Sequence, residues 1–144
     1  ADIKPSVPCN FKGIREHLSH GEIAFDPNMF EIRPASEFSD GTPGDVRREV
    51  LKQGFIPLNA TVLEFIIKNR KEPEIAQMLE LWKGTEEYAR TIYFFGTIYS
   101  SLTYNCSGDP QMLHYSEEYG WSAIPSCLDG DKPCSFHYVA VMKK

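Results

Sequence analysis

Four cysteines constrain this chain more than any other feature: Cys9, Cys106, Cys127 and Cys134 can pair in only three ways. They contain no Cys-x-x-Cys, which argues against a thioredoxin-type redox pair, and none of the short ligand pairs of a structural zinc site. Two disulfides are the simplest account. Cys127 and Cys134 bracket Leu-Asp-Gly-Asp-Lys-Pro, a turn-forming run that brings its two ends together. That assigns Cys127 to Cys134. It leaves Cys9 to tie an extended N-terminal arm (residues 1–10, with Pro5 and Pro8) to Cys106. Disulfides persist in oxidising compartments. The sequence starts at Ala1 rather than at methionine, as removal of a signal peptide would leave it. The expectation is an extracytoplasmic protein, periplasmic or secreted.

The bridges are not needed to make up for a small core. A chain of 144 residues fits one domain, here 1–144, and folding at this length removes roughly 70% of the unfolded surface from water. The net charge of -5 comes from 20 acidic and 15 basic residues. The basic clusters, Arg47-Arg48, Lys68 to Lys71 and Lys143-Lys144, are short, so no phosphate-tracking surface is expected and nucleic acid is excluded as a partner. No apolar run reaches the roughly 18 residues of a membrane-spanning helix.

Periodicity and caps predict a mainly helical domain of about five helices with a minor β element and a C-terminal strand. Phe11 to His20 reads as a short helix with Ile14 and Leu18 on one face. Glu22 to Phe38 reads as irregular, with brief strands at 23–25 and 30–33. Thr42 is a good N-cap, Pro43 suits the first helical position, and Asp45 suits the positive helix start. Gly54 ends that helix, with Val46, Val50 and Leu51 facing inward. Asn59 to Asn69 predicts a second helix, with a buried strand as the rival. Pro73 opens a third, in which Ile75, Met78, Leu79 and Trp82 draw one apolar stripe before Gly84.

From Thr85 onward, Tyr88, Ile92, Phe95, Tyr99 and Leu102 alternate steps of four and three, which predicts another helix. The β-branched and aromatic content of Thr91 to Tyr99, with Gly96, argues the other way. Asp109-Pro110 repeats the cap-then-proline signal for a short helix closed by Gly120. Ser135 to Met142 reads as the terminal strand.

Several groups of residues could carry chemistry. His17 and His20, three apart on a predicted helix, are weak metal-ligand candidates. His114 on a helix would lie beside Glu117 and Glu118, and a carboxylate that orients an imidazole is the core of acid–base catalysis. No nucleophile motif accompanies them, so no catalytic set is assigned. Asp129-Gly130-Asp131 lacks the later ligands of a calcium loop. No cofactor motif is present, and neither a cofactor nor a resident metal is expected.

Aromatic residues crowd the second half. Tyr115, Tyr119 and Trp121, with Glu117 and Glu118, predict an acidic, aromatic surface for a protein partner that carries a basic patch. The leading expectation is therefore an extracytoplasmic protein-binding domain of inhibitor or immunity type. A small hydrolase using His114 with Glu117 or Glu118 is the alternative, and a structural envelope-associated domain is the second.

Overall fold

A strand covered on both faces needs a nearly unbroken apolar run rather than an alternating one, and residues 91–99 form such a run at the centre of the fold. The computed structural model describes residues 11–18, 26–84, 90–101, 106, 108–131, 133 and 137–144. Its elements are β1 (Phe11–His17), β2 (Phe30–Pro34), α1 (Pro43–Lys52), α2 (Ala60–Lys68), α3 (Pro73–Lys83), β3 (Thr91–Ser101), β4 (Asp109–Ser116), β5 (Gly120–Pro125) and β6 (His137–Met142). Short 3-10 turns precede and follow β2, at Pro27–Met29 and Ala35–Glu37.

The six strands form one mixed sheet, five of them in the order β2-β6-β3-β4-β5 and β1 joined to it through β3. β6 runs parallel to β3 along Thr91–Tyr93, and β1 pairs antiparallel with Thr97–Ser101. At Tyr99 the opposite edge of β3 is taken by β4, so β1 and β6 share one edge. Successive residues of β3 enter different cores. Ile92 and Phe94 pack with Leu63, Ile66, Ile75, Met78, Leu79 and Trp82 of α2 and α3. Tyr93 and Phe95 pack with Val46 and Val50 of α1. The sheet is thus held between helical layers.

The mainly helical expectation is corrected: the described residues hold six strands and three α-helices, a mainly-β fold. Each misassigned segment has a physical reason. Residues 85–102 do not form a helix along the Tyr88–Leu102 stripe, because Thr91–Ser101 is β3 (residues 85–89 and 102 lie outside the described residues). Thr91 to Tyr99 are all buried, so the two-residue period disappears and the four-three steps are coincidental. Asp109 to Gly120 is not a helix but β4, a turn and the start of β5. The helix expected over Phe11 to His20 is corrected too, since Phe11–His17 is β1 (residues 19 and 20 lie outside the described residues).

Where local chemistry decides, sequence and structure agree. Thr42 and Asp45 form a reciprocal capping box: Thr42 Oγ1 accepts from Asp45 N at 3.2 Å, and Asp45 Oδ2 accepts from Thr42 N at 3.0 Å. The Thr42 amide, and then Arg48, hold the Asp45 carboxyl below the usual carboxylate range. Val46 and Val50 are buried as expected, but Leu51 is 40% exposed and does not face inward. Asn59 caps α2, accepting from Val62 N at 3.0 Å. α3 stops at Gly84, which takes φ +67. β2 and β6 match the predicted strands at 30–33 and the C-terminus, while 23–25 and the arm 1–10 lie outside the described residues.

The disulfide pairing is also corrected. Cys106 bonds Cys127, so neither Cys9–Cys106 nor Cys127–Cys134 forms. Leu128 N donates to Gly108 O at 3.0 Å and Ser126 N to Pro110 O at 3.0 Å, which extends the β4–β5 pairing to the bridge. The sheet, rather than the turn-forming run, brings the two sulfurs together. Cys9 and Cys134 lie outside the described residues. Replacing Cys106 and Cys127 together by Ser is expected to cost about 3 kcal/mol through the loop the bridge closes. The intervening separation is 21 residues. Denaturant titration of the double variant checks the cost, and peptide mapping without reduction checks the pairing.

Candidate functional site

β4 and β5 form a hairpin with register from Gln111↔Pro125 to Ser116↔Gly120. Its connection is Glu117, Glu118 and Tyr119, closed by Gly120 at φ +71. A three-residue loop followed by a left-handed glycine is a favoured hairpin geometry, because glycine takes that conformation without a Cβ penalty. Ser116 Oγ accepts from Tyr119 N at 3.1 Å and fixes the turn from inside.

Below the turn, Tyr115 stands directly opposite Trp121, with ring centroids 5.1 Å apart. Both rings are half-buried, and Trp121 packs against the α2/α3 core. The Lys83 ammonium sits 4.6 Å above the Tyr115 ring. Tyr115, and then Glu80 and Glu117, raise its pKa above the ordinary lysine value. At the tip the environment changes. Tyr119 is 78% exposed, the most exposed large apolar side chain among the described residues. Glu117 and Glu118 are exposed beside it.

The structure therefore brings the five predicted partner-binding residues into one hairpin and divides them. Tyr115 and Trp121 are a seated base, and Glu117, Glu118 and Tyr119 are a presented tip. The readable signal was the run Glu-Glu-Tyr-Gly between two apolar segments, which fits a hairpin connection as well as a helix end. Lys83 over Tyr115 had no signal, since 32 positions separate them in the sequence.

The other candidates are placed differently. His114 lies on β4 with Nδ1 3.0 Å from Thr91 Oγ1, its partner across the sheet. The helical spacing that would have set it beside Glu117 and Glu118 does not exist, as both carboxylates lie beyond the strand end. His17 is on β1, with Nδ1 2.8 Å from Thr97 Oγ1, and the same hydroxyl oxygen accepts from Ala60 N at 2.9 Å. That makes His17 part of the junction of β1, α2 and β3. His20 lies outside the described residues. Asp129 and Asp131 are exposed on the turn after the bridge. Among the described residues, the metal-type ligands that converge are Cys106, Asp109 and Cys127, and both sulfurs are spent in the disulfide. No helix of the described residues is long and apolar enough to cross a membrane.

No family model, curated protein or solved structure matches this chain.

Proposed function

We propose that this is an extracytoplasmic protein-binding domain, of inhibitor or immunity type, whose contact element is the β4–β5 hairpin tip. The observation that carries the reading is the exposure of Tyr119, 78% accessible next to the exposed Glu117 and Glu118 on a hairpin seated in the core. A tyrosine at that position offers large contact area for few rotors, and a pre-ordered turn loses little entropy on binding. Glu117 and Glu118 suit a partner with a basic patch, drawing it in by long-range attraction. The Cys106–Cys127 disulfide supports a site of action outside the cytoplasm.

Affinity capture from the native host's extracytoplasmic fraction tests this. Wild-type protein and a variant carrying Tyr119→Ala, Glu117→Lys and Glu118→Lys are compared, with captured proteins identified by mass spectrometry. The expected result is a partner held by the wild type and lost by the variant. A partner held equally by both would place the contact surface elsewhere.

A further inference from the structure

We infer that the outer edge of β5 pairs antiparallel with the same edge of a second copy of this chain. β5 is the terminal strand of the order β2-β6-β3-β4-β5. Ser126 N donates to Pro110 O and Leu128 N to Gly108 O, so in this antiparallel register every second residue of β5 turns its backbone toward β4. Gly120, Ser122 and Ile124 face β4. Trp121, Ala123 and Pro125 turn theirs outward. Among the described residues, nothing takes the outward N–H groups of Trp121 and Ala123. Ala123 and Pro125 are exposed, so the edge is open.

The sheet's other edge strands are guarded. β1 carries Arg15 and Glu16, and β2 carries Glu31, Arg33 and Pro34, the charges and proline that keep edges from pairing. β5 reads Gly-Trp-Ser-Ala-Ile-Pro and carries no charge. Its one blunting residue is the final Pro125, which has no N–H.

A two-fold axis at Ser122 fits this edge to itself. It sets Trp121 of each copy opposite Ala123 of the other as a hydrogen-bonded pair. Four bonds form across the axis, and they use every outward N–H and carbonyl of Trp121 and Ala123. Pro125 falls outside the paired segment. Centring the pairing on Ala123 instead would put Pro125 opposite Trp121 and leave the Trp121 carbonyl without a donor. Side chains match about the Ser122 axis as well. Half-buried Trp121 meets exposed Ala123, Ile124 meets Gly120, and Ser122 meets its own copy, where two hydroxyls can bond each other. No charged side chain lies in the register. The occupant is a second copy because this edge supplies its own donors, acceptors and size complement. Five residues a side bury less than the roughly 1,200 Å² of a standard interface, so the dimer forms and dissociates with concentration. The paired segment excludes Glu117, Glu118 and Tyr119, so the dimer goes beyond the hairpin-tip reading and does not rest on it.

The test uses the full, oxidised, isotope-labelled chain from micromolar to millimolar concentration. Sedimentation is expected to pass from monomer to dimer, and exchange of the Trp121 and Ala123 amides to slow by at least about tenfold in the dimer. After mild oxidation, Ser122→Cys should give at least about tenfold more dimer linked through position 122 than Ala123→Cys gives through position 123. Cα atoms of a non-hydrogen-bonded pair stand about 4.5 Å apart, within reach of a disulfide, whereas position 123 faces Trp121. Ala123→Pro removes an outward donor that β4 does not use and should hold the protein monomeric, and the cross-link decides the matter if this variant folds poorly. A protein that stays monomeric at millimolar concentration overturns the inference, as does a dimer in which the two amides exchange freely. Amides protected only by a different protein also overturn it and give the edge to that protein. The dimer is expected to survive Glu117→Lys, Glu118→Lys and Tyr119→Ala together, and its loss there would place the contact at the tip and overturn the inference.

Discussion

Gly96→Ala is expected to destabilise the fold by more than about 3 kcal/mol, the upper end of what forced overpacking costs. Gly96 lies inside β3 where two other chain segments meet it. Its N–H donates to Leu58 O at 2.9 Å, and its carbonyl accepts from Leu18 N at 2.7 Å. β6 pairs with β3 as far as Tyr93 and β1 from Thr97, so the Leu58–Asn59 backbone fills the gap between them. A Cβ at position 96 would come within 2.7 Å of Asn59 Cα and 2.8 Å of Asn59 N and Leu58 C. Those are backbone atoms that cannot rotate away. Moving them would also disturb the bonds around Asn59, whose side-chain Nδ2 donates to Leu18 O at 3.0 Å, and Ala60, whose buried N–H donates to Thr97 Oγ1 at 2.9 Å. Gly13→Ala is the matched control: it lies in β1, nothing stands within 4 Å of its added Cβ, and its cost should stay within about 0.5 kcal/mol. Equal stability of the two variants in denaturant would show that no close crossing exists at Gly96.

Trp82→Ala should cost about 3–5 kcal/mol, as large core truncations do. Trp82 is 5% exposed and completes the buried row Ile75, Met78 and Leu79 by which α3 joins the core. α3 meets β3 and β4 through that core, at Ile92, Phe94 and Leu113. A chemical denaturation midpoint shifted by less than about 1 kcal/mol equivalent would place this helix face in solvent. By contrast Leu81, next in sequence, is 76% exposed, and Leu81→Ala should change stability by only about 0.5 kcal/mol or less.

What was legible in the sequence follows from which physics is local. The cap at Thr42, the prolines at Pro43 and Pro73 and the glycine stop at Gly84 act within a few residues, and α1 and α3 stand where those signals put them. β3 was illegible because its pattern records neighbours remote in sequence. Tyr93 and Phe95 are apolar for the sake of α1, and Ile92 and Phe94 for the sake of α2 and α3. The disulfide failed for the same reason: β4–β5 pairing, not the turn content of 128–133, sets which sulfurs meet. Within the candidate site, Tyr115 to Trp121 were marked by residue type alone. Their division into base and tip needed the strand alternation that a helical assignment hides.

Association kinetics with the captured partner test the central claim most directly. For binding through the hairpin tip, wild-type association should slow as salt rises, because encounter is steered by exposed carboxylates. Glu117→Lys with Glu118→Lys should slow association at low salt and flatten the salt dependence, with the dissociation rate changing less. An association rate unaffected by both the charge reversal and the salt would contradict the account.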